Sequence, residues 1–206
     1  DVSESRGLGD VYKRQMKGYY QNEAATAETM TDDGWLMSGD IGKIDNEGYV
    51  YITGRKKEIY VNSGGKNIAP LVIEETMKSI PEVSQCFLVG DQRKFCSALL
   101  TLDVGAVLRD HYGVDAKKVP KDPSEQLSEL QAKGSSMEQE ISNLYQLIES
   151  KVTVLNNQFA PPEQVKKFTI LPRDFSVDHG ELTPTLKIRR KQIRENWASE
   201  IESMYS

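Results

Sequence analysis

Two β-rich runs, "DIGKI" and "YVYIT", stand on either side of the polar turn Asp45-Asn46-Glu47-Gly48, whose glycine can take the positive φ of a tight turn. This pattern predicts a hairpin. Gly54-Arg55-Lys56-Lys57 interrupts it, a short run "EIYV" follows, and Asn62-Ser63-Gly64-Gly65-Lys66-Asn67 makes a glycine-rich loop. Pro70 then opens "PLVIEETMKSI", where proline at the first turn forfeits no hydrogen bond and Ile73, Met77 and Ile80 share one face. A helix is predicted there. "VSQCFLVG" and "FCSALLTLD" flank the polar turn Asp91-Gln92-Arg93-Lys94 and predict a second hairpin, buried on at least one face.

Between about Val107 and Lys133 the chain turns polar, with Pro120, Pro123 and many charges, which predicts a surface excursion with short helices. A longer helix is predicted from Ser135, whose hydroxyl caps the first turn while Glu138 reaches back. Its stripe of Met137, Ile141, Leu144, Ile148, Val152 and Leu155 keeps to 3-4 spacing and reads as core. "VKKFTIL" predicts a last strand, and a final helix places Ile193, Trp197, Ile201 and Met204 on one side. Strands alternating with helices after Asn62 imply a compact α+β domain, with a separate strand-rich piece before it. The opening residues 1–15 carry neither periodicity and are expected to be a non-native or disordered leader; pattern begins near Met16, as in the tail of something larger.

The chain has 206 residues, 38% of them hydrophobic and 28% charged, which suits one good core or two small ones and argues against disorder. A formal net charge of −5 argues against a protein that coats nucleic acid. The cations Lys187, Arg189, Arg190, Lys191 and Arg194 are therefore a local cluster. Cys86 and Cys96 lie inside apolar runs rather than at metal-ligand spacing, and read as buried thiols of a reducing compartment. No apolar run reaches the roughly 20 residues of a membrane-spanning helix and no signal peptide is evident. The chain reads as cytoplasmic in its chemistry, with peripheral membrane contact left open and the oligomeric state not set.

Self-contained catalytic signatures are absent: no phosphate-binding P-loop, dinucleotide fingerprint, zinc-protease helix, nucleophile elbow or paired C-x-x-C occurs. Three features remain. Asp40 ends a glycine-bearing turn and Arg55 lies past the end of the following hairpin, so both can reach one side of it. A carboxylate beside a guanidinium suits a sugar diol next to a phosphate, and a plain surface ion pair would have the same spacing. The loop "VNSGGKNIAP" lets backbone approach a ligand, and its successive N–H groups could form an anion nest. Pro184 stiffens a loop that delivers Lys187 ahead of a helix, either toward whatever lies opposite or simply into solvent.

"MKGYYQNEAAT", "GWLMSGDIGKIDNEGYVYITGRKKEIYVNSGGKNIAP" and "GELTPTLKIRRKQI" together resemble the C-terminal part of the adenylate-forming enzymes, most closely the long-chain fatty acid–CoA ligases. The resemblance runs from about Met16 to the end, with three motifs in the family's order. It implies a two-step reaction: ATP and a fatty acid give acyl-adenylate and pyrophosphate, then the CoA thiol gives acyl-CoA and AMP. It also implies a fold: residues 16–56 as the end of the N-terminal domain, and 57–206 as a small mobile C-terminal lid with a three-stranded-type sheet flanked by helices.

By the same resemblance, Asp40 would hold the ribose hydroxyls of ATP, Arg55 would donate to the ribose, and Ile52 would line the adenine-ribose side. Lys57 would be the hinge between two poses. Ser63, Gly64, Gly65 and Lys66 would line the pantetheine passage of CoA. Lys187 would bridge the fatty-acid carboxylate and the α-phosphate during adenylation. Arg189, Arg190, Lys191 and Arg194 would form a solvated helix face or touch CoA phosphates. The phosphate loop, the acyl tunnel and the residue placing Mg²⁺ belong to the family's N-terminal domain, the expected partner, so the chain alone is expected to be inactive. A ligase for another carboxylic acid, an enzyme loading a carrier protein, and a non-catalytic binding module stay open.

Overall fold

The computed structural model describes residues 16–206; the leader expected at 1–15 lies outside the described residues. After helix α1 (Glu23–Thr29), strands β1 (Asp40–Ile44) and β2 (Val50–Arg55) form the first expected hairpin, antiparallel and joined at the expected turn. Asp45 closes that turn: its carboxylate accepts the N–H groups of Glu47 and Tyr49 at 3.0 and 2.9 Å, and Gly48 takes φ +90°. β2 runs on through Arg55, so the Gly54-Arg55 pair belongs to the strand and does not interrupt it. A single 3₁₀ turn (Lys56–Glu58) leads to β3 (Tyr60–Val61), which pairs antiparallel with β4 (Asn67–Ile68) across the glycine-rich loop.

Helix α2 (Pro70–Met77) precedes the second hairpin, β5 (Val83–Val89) and β6 (Cys96–Leu102). β7 (Val165–Ile170) lies parallel to β6, giving a three-stranded sheet in the order β5-β6-β7. Both of its faces are covered. On β5 and β6, Cys86, Leu88, Ala98 and Leu100 enter one apolar cluster, while Phe87, Val89 and Leu99 enter another on the opposite face. The period-two alternation of a strand places these neighbours on opposite sides. Each leucine or phenylalanine buried this fully contributes about 1.5–3 kcal/mol.

The first face carries α2, α3 (Val104–Asp110), α4 (Pro123–Ala132) and the long α5 (Met137–Asn156). The excursion after β6 is more buried than its polarity suggests, because Val107, Leu108 and Leu130 all reach the core. The cap of α5 is Ser136, one residue later than expected; Ser135 instead donates to the buried carboxylate of Glu140. The second face carries α6 (Arg190–Asn196) and α7 (Ala198–Ser203), the expected final helix broken at Trp197, with Ile193, Trp197, Ile201 and Met204 all buried. Cys86 and Cys96 are free and buried, and burial raises both thiol pKa values, that of Cys96 to about 11. No described helix is long and apolar enough to cross a membrane.

Candidate functional site

In the first hairpin Asp40 is paired directly with Arg55, and Arg55 Nε lies 3.2 Å from Asp40 Oδ1. The pair is open, the side chains being 30% and 62% exposed, so it adds little stability and leaves its oxygens and N–H groups accessible. A register shift between Ile41 and Gly42 decides what stands beside it. Gly42 pairs with Ile52, so Thr53 is the extra residue on β2. Ile52 and Arg55 are three apart and would face opposite ways on a regular strand; the bulge returns Ile52 to the face shared by Asp40, Gly42 and Arg55. Gly42 has no side chain to cover it, and a Cβ there would meet the Tyr51 carbonyl oxygen at 2.8 Å. Ile52 is accordingly 57% exposed.

The chain leaves the hairpin through the 3₁₀ turn that contains Lys57. Lys56 N–H donates to Gly39 O at 2.8 Å, and the Glu58 carboxylate lies 3.3 Å from Arg190 Nε. Lys57 sits between these two ties with its side chain exposed.

The glycine-rich loop contradicts one expectation. Asn62, 7% exposed, accepts the N–H groups of Gly64 and Lys66 on its Oδ1 at 3.0 and 2.9 Å, while Gly65 N–H goes to Asn62 O and Ser63 N–H to Arg93 O. Every N–H that an anion nest would need is already used. Ser63, Gly64, Gly65 and Lys66 therefore present a glycine-rich ridge whose backbone N–H groups are bonded within the lid, in place of a nest.

Lys187 stands on a tight turn between Leu182 and Ile188, which form an isolated antiparallel bridge. Pro184 presets the first turn residue, Leu186 N–H donates to Thr183 O at 2.8 Å, and Thr183 N–H donates to Lys187 O at 2.8 Å. Leu186 takes φ +60° to complete the turn. The Lys187 side chain is exposed, and among the described residues it enters no ion pair. The cations behind it are not one solvated face. Lys191 is, at 91% side-chain exposure, but Arg190 is 17% exposed and forks onto Glu74, both nitrogens at 2.7 Å. The foot of the turn is held from the other side by buried Glu181, which Arg173 grips.

Asn62, Glu181 and the Arg190–Glu74 pair were not singled out from sequence. Asn62 carried a readable signal, since asparagine readily bonds backbone two residues on; the two ion pairs join residues whose partnership only folding reveals. Among the described residues there is no group of three or more His, Cys, Asp or Glu that could hold a metal ion.

No protein-family model matches the chain. Among curated proteins it is 40% identical over 189 residues to the Mycobacterium tuberculosis long-chain-fatty-acid–CoA ligase FadD15, covering 92% of this chain and 29% of that protein. It is 35% identical over 215 residues to the Homo sapiens long-chain-fatty-acid–CoA ligase ACSBG1, covering 98% and 29%. The chain is homologous to the long-chain fatty acid–CoA ligases. It spans about 29% of the length of these relatives. Its fold is that of part of an adenylate-forming enzyme. The adenylation domain of a carboxylate reductase from Mycobacterium chelonae superposes with a TM-score of 0.63 at 20% identity, over 92% of this chain and 26% of that one. O-succinylbenzoate coenzyme A synthetase from Bacillus subtilis, solved with AMP, gives 0.50 at 23% identity over 87% and 28%.

Proposed function

We propose that this chain is the C-terminal lid, with the adjoining strip of N-terminal domain, of an AMP-forming long-chain fatty acid–CoA ligase. Residues 16–56 are the strip and 57–206 the lid. The observation that carries this reading is that one chain, 40% identical to one such ligase, holds both an open Asp40–Arg55 pair and an exposed Lys187 on a tight turn that enters no ion pair among the described residues. Asp40 accepts from the ribose hydroxyls of ATP, Arg55 donates to the ribose, and Ile52 lies against the adenine-ribose side from the same face. The Lys187 ammonium meets the fatty-acid carboxylate and the α-phosphate, where negative charge builds as the acyl-adenylate forms. In the thioester step the Ser63–Lys66 ridge borders the pantetheine of CoA.

The hairpin supports a missing partner lobe. Ile44, Val50 and Ile52 on the hairpin, and Trp35 just ahead of it, are 57–71% exposed, an apolar surface of the kind that packs against another domain. The phosphates, the acyl chain and Mg²⁺ are held by that lobe, and this chain alone is inactive. The test is pyrophosphate release from ATP and a long-chain fatty acid by the native protein that contains this chain. Lys187→Ala should lower the rate at least about 100-fold, in line with loss of one transition-state contact. A rate near wild type would remove Lys187 from the chemistry.

A further inference from the structure

We propose that Arg190 is a positioning residue: by holding Glu58 against the lid it confines the domain rotation to Lys57 and transmits it to the Lys187 turn as one rigid movement. The inference rests on the ligase reading just given, with Lys57 taken as the hinge between its two poses and Lys187 as the acting ammonium.

Its basis is the placement of the ties on either side of Lys57. Lys56 N–H is bonded to Gly39 O at 2.8 Å, next to the Asp40–Arg55 pair, and so belongs to the hairpin. Glu58 reaches Arg190 at 3.3 Å and so belongs to the lid. Arg190 can hold it because it is itself immobilised. Its fork onto Glu74 is bidentate, its Nη1 also donates to the Tyr60 hydroxyl at 3.1 Å, and Glu74 accepts Leu88 N–H at 2.9 Å from the central sheet. Arg190 is also the first residue of α6, three positions after Lys187. The residue before it, Arg189, donates its N–H to Glu181 O at 2.8 Å and closes the foot of the lysine turn.

One guanidinium thus joins the exit of the hinge, the start of β3 and the base of the turn that bears the ammonium. Without the Glu58 tie, rotation would spread over residues 57–59 and the arrival point of Lys187 would smear. Misplacement by about 1 Å can cost on the order of 100-fold in rate. A purely structural role explains the part-buried Arg190–Glu74 fork. It does not explain Glu58, which is 39% exposed and at such exposure contributes little to stability.

Glu58→Gln separates the two roles, because it removes the charge on Glu58 and leaves the Arg190–Glu74 fork in place. In the native protein containing this chain, its thermal midpoint should stay within about 3 °C of wild type, as for loss of a weak surface pair. Amide exchange at residues 57–60 should quicken severalfold. The kcat for acyl-CoA formation should fall severalfold with KM for ATP unchanged. Arg190→Lys, which keeps the charge and loses the fork, should slow the same step and also lower the midpoint. Unchanged exchange in Glu58→Gln, or faster exchange with unchanged kcat, overturns the proposal. Wild-type protein that forms no acyl-adenylate would instead overturn the functional reading, and this inference with it.

Discussion

Glu181 accepts both terminal nitrogens of Arg173, at 2.7 and 2.8 Å, from a position with no solvent exposure. Burial alone would raise its pKa. The bonds from Arg173, the Asn196 side chain and Ser176 N–H outweigh that and hold it down to about 2, against an ordinary 4.5. A folded pKa below the unfolded one means stability present above about pH 4.5 and lost as pH falls toward 2. The linked free energy is on the order of 3 kcal/mol. Denaturant unfolding between pH 6 and pH 2.5 should show this loss, and Glu181→Gln should unfold more easily at pH 6 and lose less on acidification. An equal loss in both proteins would place the acid sensitivity elsewhere.

Leu186 occupies the left-handed region at φ +60°, where a branched side chain is strained, and it is 71% exposed, so little packing compensates. The geometry is a three-residue hairpin loop, in which glycine suits that position. Leu186→Gly should therefore unfold at the same midpoint or higher, since relief of about 1–2 kcal/mol competes with glycine's smaller entropic cost. Leu186→Val should lower stability by about 1 kcal/mol, because branching at Cβ crowds this conformation further. Thermal denaturation of the pair, with the order Gly above Val, checks the strain.

Local chemistry made the hairpins legible. Asp45 and Gly48 announce their turn because the bonds that close it span only a few residues, and Pro70 marks α2 for the same reason. The face on which Ile52 stands was not legible, since a bulge at Thr53 depends on how two strands meet. Nor was the parallel pairing of β7 with β6, or the break at Trp197, which tertiary packing sets. The candidate site divides in the same way. Asp40, Arg55 and Lys187 became candidates through motif wording, whereas Arg190 read as a solvated helix residue or a CoA-phosphate contact because Glu74, its partner, is 116 positions away.

Asn62 should decide whether the glycine-rich ridge is rigid. Its side chain takes two N–H groups of the loop, so Asn62→Ala leaves Gly64 and Lys66 without their partner in a half-buried setting. The expected cost is about 1–3 kcal/mol, with faster amide exchange at Gly64 and Lys66 than at β6. Asn62→Asp keeps the acceptor and should retain most of the protection. Exchange unaltered in Asn62→Ala would mean that the loop is ordered by its other contacts, such as Ser63 N–H to Arg93 O.

Lys57→Pro tests the pivot itself. Lys57 lies in a 3₁₀ turn, whose φ of about −50 to −70° a proline ring can adopt, so the observed pose should survive the substitution. A pose that needs another φ at residue 57 should not. If the two half-reactions of the ligase use different poses, then in the native protein containing this chain the variant should lose unequal amounts of adenylation, measured as pyrophosphate release, and of thioester formation from supplied acyl-adenylate. Lys57→Ala, which removes the side chain and leaves the torsion free, should keep both near wild type. Equal losses in the proline variant would move the pivot away from Lys57, and with it the reason for holding Glu58 so close by.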